Sequence, residues 1–140
     1  LFSAAATILY RGDVGVETGF GRVAQQLIPA LAEHHEVHAL CVNWHGDPSP
    51  MQEHCRMYPA MAHGSDPFGS HRIGELVQIV KPDVVFIVND IWVAISLVDG
   101  SSHSRKALAS RLAFTLLLTP TVYSRASSCH QQVGPFDYIH

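Results

Sequence analysis

Thr18-Gly19-Phe20-Gly21-Arg22-Val23-Ala24 lies between a short apolar run, Thr7-Ile8-Leu9-Tyr10, and a helix-like segment that ends near His35. Strand, glycine-bearing loop and helix in that order aim backbone N–H groups and the positive end of a helix dipole at an anion. Glycine suits such a loop because it accepts positive φ and lets the backbone approach a ligand closely. A second strand, Glu36-Val37-His38-Ala39-Leu40-Cys41-Val42, follows the helix. The chain therefore opens as one β-loop-α-β unit, which points to a layered α/β fold.

The remaining periodicities extend that pattern. Phe20, Val23, Ala24, Leu27, Ile28, Leu31 and Ala32 recur at three- and four-residue spacing, which predicts an amphipathic helix over 20–33. Pro29 removes a donor from its middle and should bend or loosen it. Residues 43–68 are rich in Pro, Gly, His and Asp and read as an irregular connection, with a short strand near Met57-Tyr58. Ile73, Leu76, Val77 and Val80 form one stripe of a second helix over 70–80, which Lys81-Pro82 should end. Asp83-Val84-Val85-Phe86-Ile87-Val88 is a continuous β-branched and aromatic run, the signature of a strand covered on both faces. Helices over 92–98 and 102–112, a strand over 114–118 and a strand start at Phe136–Ile139 complete the reading. The expectation is a single α/β domain with a doubly wound, mostly parallel sheet and strands near 7–10, 36–42, 84–88 and 114–118.

Composition narrows the partners. With 47% hydrophobic and 15% charged residues among 140, the chain can bury a real core and is not a disordered one. A net charge of −3 leaves no basic footprint, so nucleic acid is not expected as a partner. The three cysteines, Cys41, Cys55 and Cys129, lack CxxC spacing, and His54 beside Cys55 lacks metal-ligand spacing, so neither a disulfide framework nor a metal is expected. Unpaired cysteines fit a reducing, cytoplasmic location. The opening Leu1–Ala6 lacks a basic region and reads as the lead into a strand rather than a signal peptide. No apolar run approaches the roughly 20 residues that span a bilayer, which leaves peripheral membrane contact open.

Ligands of open α/β sheets bind outside the carboxyl ends of the strands. The loop Arg11–Gly21, the loop starting at Asn43 and the pair Asn89-Asp90 should converge there, with Gly19, Gly21, Asn89 and Asp90 lining one concavity. A dinucleotide reading would take Gly19-x-Gly21-x-x-Ala24 as its fingerprint. That fingerprint should begin directly after the first strand, yet Gly19 lies nine residues beyond Tyr10. The second strand should end in an acid that holds ribose, yet it ends at Asn43. Both checks count against a nucleotide-dependent oxidoreductase. There is no Gly-x-Ser-x-Gly elbow and no Gly-Lys-Ser/Thr phosphate loop, which counts against serine hydrolases and P-loop enzymes.

A closer likeness exists. Gly19-Phe20-Gly21-Arg22-Val23-Ala24, with Leu27, Leu31 and His35-Glu36-Val37-His38 after it, resembles the first βαβ unit of retaining GT-B glycosyltransferases of family 4. Lys81-Pro82-Asp83-Val84-Val85 with Asn89-Asp90 is similar to a second segment of that group. The likeness covers residues 7 to about 95; beyond it, Leu118-Thr119-Pro120 keeps the proline of a family strand end but lacks its acid. The resemblance implies a Rossmann-like N-terminal, acceptor-side domain spanning 1–140, with the C-terminal donor domain absent from this chain. It implies transfer of a sugar from a nucleotide-sugar co-substrate to an acceptor with retention, without a metal or other cofactor. The helix N-terminus would then stabilise the leaving diphosphate, and the chain alone should be inactive. A first residue that is not Met fits a fragment of a longer protein.

Each candidate residue carries two readings. Gly19, Phe20, Gly21 and Arg22 would face the donor diphosphate, or the glycines would merely permit a tight loop. Asn43, Trp44, His45, Asn89 and Asp90 would line the acceptor cleft, or Asn89-Asp90 is a turn and Trp44 is buried packing. Asp13 and Glu17 read as solvated loop acids or sugar contacts, and His103 and His130 as weak candidates for a base. A noncatalytic α/β ligand-binding or interaction module stays open as a different class.

Overall fold

The computed structural model describes residues 4–61 and 64–90, together with the backbone of 114–116. Strand β1 (Thr7–Asp13) leads into helix α1 (Gly19–Ala32), followed by β2 (Glu36–Val42), a 3-10 turn at Pro50–Glu53, β3 (Arg56–Pro59), α2 (Ser70–Val80), β4 (Val84–Ile87) and β5 (Phe114–Leu116). The five strands form one sheet in the order β3-β2-β1-β4-β5, and every pairing is parallel. This is an α/β, Rossmann-like arrangement. β4 pairs on both sides, with β1 and with β5, so its apolar run is an interior strand as its composition requires.

Alternation along the strands sorts the core into two layers. Tyr10, Val37, Ala39 and Cys41 face α1 and the 3-10 turn, where Ala24, Ile28, Trp44, Met51 and Cys55 pack on them. Leu9, Leu40, Val42, Val85 and Ile87 face α2, which lays Ile73, Leu76 and Val77 on that side. The helices thus cover opposite faces, and the sheet is doubly wound. Each fully buried Leu or Ile in these layers contributes about 1.5–3 kcal/mol. Tyr10 also stacks on Phe86, ring centroids 6.0 Å apart.

α1 runs through Pro29 without ending. The carbonyl that Pro29 leaves unbonded belongs to Gln25, an exposed residue whose carbonyl water can serve. α2 ends as its sequence predicts: Lys81, ahead of Pro82, takes a φ of 51°, outside the right-handed helical region.

One boundary differs. β1 does not stop at Tyr10 but continues through Arg11 and Gly12 to Asp13, paired with Leu40, Cys41 and Val42. Polar and glycine residues made this segment look like loop, but parallel pairing on one side and Val88 N–H bonding to Arg11 O at 2.9 Å on the other keep it extended. The helices read over 92–98 and 102–112, the strand start at Phe136, residues 117–118 of the last strand, and His103, Cys129 and His130 lie outside the described residues.

Candidate functional site

The sheet order reverses direction at β1. From β1 the chain moves outward through α1 to β2 and β3, then returns over the other face through α2 to β4. Such a switch point opens a crevice at the carboxyl ends of the two strands that flank it, here β1 and β4. The two ends are pressed together: a Cβ on Gly12 would lie 2.6 Å from the Val88 carbonyl oxygen, so only glycine fits there.

Asp13, the last residue of β1, organises this edge. It is buried, not a solvated loop acid. One carboxylate oxygen accepts from the Thr18 hydroxyl at 2.6 Å and the other from the Asn43 side-chain amide at 3.2 Å. Thr18 in turn caps α1, its hydroxyl accepting from the Gly21 N–H at 3.0 Å. The ends of β1 and β2 and the start of α1 are therefore tied into one hydrogen-bonded chain. Asn43 is exposed and adopts a φ of 61°, a conformation Asn tolerates better than most residues.

The two loop glycines do different things. A Cβ on Gly21 would overlap the Val16 carbonyl oxygen, so Gly21 is there to let the loop fold onto the first helical turn. Gly19 is exposed, and a Cβ there would meet nothing within 4 Å. The amides of Gly19 and Phe20 occupy the first two helical positions, which have no partner within a helix. Phe20 packs its ring half-buried against the α1-side core, and Arg22 is exposed. Open space, free donors and a helix dipole coincide at Gly19–Phe20.

Of the other sequence-derived candidates, Asn89 is buried and its side-chain oxygen accepts from Asp90 N–H at 2.8 Å, a turn at the end of β4. The Val88–Arg11 bond places that turn beside the end of β1. Trp44 is 6% exposed and packs in the α1-side core, with its indole N–H on the Asp47 carbonyl at 2.9 Å. Its face is thus not offered to a ligand, which is a correction to the acceptor-cleft reading. His45 is exposed.

Three features went unread in the sequence. Gly15 has a φ of +80°, and a Cβ on it would lie 2.9 Å from the Met57 methyl and 3.1 Å from the Trp44 ring, so it seats the loop on the core. Arg11 is wholly buried in β1, two positions from Leu9 on the α2 side. Its Nε and Nη2 donate to the Phe68 carbonyl at 3.2 and 2.6 Å, and burial pulls the guanidinium down to about 10, still cationic at neutral pH. Asp66 accepts from His71 N–H at 2.8 Å at the start of α2. Burial pushes its carboxyl upward, but the N–H donors of His71, Ser70 and Gly69 and the charge of His71 outweigh that and hold it below the usual range.

A cleft of about 910 Å³ lies at the opposite, amino edge of the sheet, bordered by Glu33, His35, Glu36, His54, Cys55 and Arg56. Nearby, His38 bonds Glu36 at 2.9 Å and Tyr58 at 3.0 Å through its two ring nitrogens. The cleft is lined from the start of β2, the end of α1 and the 3-10 turn, away from the switch point and from the amino termini of α1 and α2. Among the described residues no group of three or more His, Cys, Asp or Glu side chains is placed to hold a metal ion, and no helix is long and apolar enough to cross a membrane. No protein-family model and no curated protein matches the chain.

Proposed function

We propose that this chain is the acceptor-side domain of a retaining glycosyltransferase that uses a nucleotide-sugar donor. The observation that carries the reading is the open amino terminus of α1 at Gly19–Phe20, set at the carboxyl edge of a parallel sheet beside the β1/β4 switch point. Together with the likeness of residues 7–95 to the first half of GT-B enzymes, it supports a diphosphate-facing role for Gly19 and Phe20. As the donor's diphosphate departs it gains negative charge, and two aligned N–H groups at a helix end stabilise that charge more in the transition state than in the bound donor. The exposed Arg22 guanidinium stands one helical turn away as a second positive group. Base and ribose would be held by a second domain, and the acceptor would lie near Asn89-Asp90.

The oxidoreductase alternative loses ground on one detail. The position that would hold a ribose hydroxyl is Asn43, an uncharged amide rather than a carboxylate, and its side-chain N–H is bonded to Asp13.

Amide chemical shifts of the ¹⁵N-labelled chain, followed while UDP or GDP is added, test the proposal. Two backbone hydrogen bonds to a charged group, each about 1.5–3 kcal/mol before ordering costs, support binding on the order of millimolar. The shifts should centre on Gly19, Phe20 and Arg22. Micromolar binding of NAD, or nucleoside diphosphates that leave Gly19 and Phe20 unmoved, would overturn it.

A further inference from the structure

Glu36, His38 and Tyr58 stand in a hydrogen-bonded file on the α2 side of the sheet. Alternation puts Glu36 and His38 of β2 on the same face as Leu40, and Leu40 is the register partner of Tyr58 in β3. His38 Nε2 meets a Glu36 carboxylate oxygen at 2.9 Å, and its Nδ1 meets the Tyr58 hydroxyl at 3.0 Å. A carboxylate only accepts, so Nε2 carries the imidazole hydrogen. Nδ1 is then the lone pair, and the Tyr58 O–H donates to it. Hydroxyl, imidazole base and carboxylate follow one another within hydrogen-bond distance, the order that activates a nucleophile.

Burial and a neighbouring cavity give the file somewhere to act. His38 is 6% exposed, so water competes little for its ring nitrogens, whereas Tyr58 is half-buried and the Glu36 side chain is 70% exposed. Glu36 and His38 also border the cleft of about 910 Å³ at the amino edge, together with Arg56, the register partner of His38. A space of that size holds a small organic molecule. Glu33, Glu36 and Glu53 face it against the single guanidinium of Arg56, so its charge favours a cationic guest.

We propose that Tyr58, His38 and Glu36 form an ester-cleaving site for small aryl esters that carry a positive charge. The Tyr58 oxygen attacks the ester carbonyl while its proton passes to His38 Nδ1, and Glu36 stabilises the imidazolium that results. The C–O bond to the leaving phenol then breaks, the proton departs with that phenol, and the acyl group stays on Tyr58. Water attacks the acyl-tyrosine in the same manner, releasing the acid and restoring the Tyr58 hydroxyl. The nucleophile selects the ester class. A tetrahedral adduct expels its less basic oxygen, and a phenol, with an ordinary pKa of about 10, is far less basic than an alkoxide. An alkyl ester would therefore give back the free Tyr58, while an aryl ester can go forward. The site lies at the amino edge of the sheet and does not depend on the transferase reading.

The test follows phenol release by the full chain from three acetate esters: meta-acetoxy-trimethylanilinium, phenyl acetate and meta-acetoxybenzoate, each relative to its rate in buffer. The cationic ester should be cleaved with a kcat/KM about tenfold or more above the anionic one, and peptide mapping of a stopped reaction should find acetyl on Tyr58. Tyr58→Phe keeps the ring and should lower the rate about tenfold or more. His38→Ala should do the same, and added imidazole should restore activity to it, which a purely structural histidine would not allow. If His38→Ala does not fold, Glu36→Gln decides beside Tyr58→Phe, because the exposed Glu36 side chain can be changed without disturbing the core. Measured on neutral phenyl acetate, where its charge does not bear on binding, Glu36→Gln should lower kcat and leave KM unchanged. Wild-type rates in Tyr58→Phe, no acetyl on Tyr58, no rescue of folded His38→Ala by imidazole, an unchanged kcat in Glu36→Gln, or an anionic ester cleaved as fast as the cationic one would each overturn the proposal.

Discussion

The Thr18 hydroxyl donates to the Asp13 carboxylate across 2.6 Å while it accepts from the Gly21 amide, so one side chain both caps α1 and satisfies a buried acid. Loss of an N-cap acceptor costs about 0.5–2 kcal/mol. Thr18→Ala should exceed the middle of that range because it also strips a donor from Asp13. In a double-mutant cycle with Asp13→Asn, measured by denaturant unfolding, the two changes should couple by about 0.5–3 kcal/mol. Strict additivity would show that the contact contributes nothing.

The two glycines of the loop should separate cleanly. Gly21→Ala forces a methyl into the Val16 carbonyl and should destabilise by about 1–3 kcal/mol or more. Gly19→Ala enters open space at the first helical position and should be neutral or stabilising by up to about 1 kcal/mol. Thermal unfolding of the two variants side by side checks this, and equal losses would contradict it.

Sequence pattern revealed the sheet more readily than the site, for reasons visible in particular residues. The run Val84–Val88 announces an interior strand by composition alone, and the α2 stripe of Ile73, Leu76 and Val77 announces its face. Arg11 could not be read that way. It lies in the core only because Phe68, 57 positions later, offers a carbonyl to it. Likewise Gly19 and Gly21 look equivalent as letters, and only the path of Val16 over the helix start tells them apart. Trp44 beside two polar residues suggested a stacking surface, but its place is settled by packing with Met51 and Cys55 in a different turn.

Asp66 should make stability depend on acid pH. Its folded-state pKa lies below the ordinary value, so its contribution is fully present above the unfolded pKa of about 3.9 and is lost as pH falls through the folded value. Asp66→Ala should cost about 0.5–2 kcal/mol at neutral pH. The gap between variant and wild type should close progressively below about pH 4, measured by urea unfolding across pH. A gap that is constant down to strong acid would show that the carboxylate charge is irrelevant to α2.

Cys41 and Cys55 should resist alkylation in the folded protein. Burial pushes both thiols up, Cys55 to about 11 and Cys41 further, so neither supplies thiolate near neutrality. Iodoacetamide at about pH 8, close to an ordinary thiol pKa, followed by peptide mapping, should leave both unmodified until denaturant is added. Rapid native labelling at either position would contradict the packing of the α1-side layer.

The central position of β1 has a consequence for how the chain is made. Its amino end is tied to Ala6–His35 on one side, 29 positions apart, and to Thr7–Asp83 on the other, 76 positions apart. The first contact is available early in synthesis, while the second must wait until β4 leaves the ribosome, seconds later at ordinary elongation rates. During that interval the nascent βαβ unit displays an open parallel edge along Ile8–Arg11, with an arginine that has not yet met its carbonyl. Unpaired edges of that kind recruit other chains. A product terminated ahead of Val84 would carry the exposed edge permanently, and aggregation rather than simple loss of stability is its expected fate.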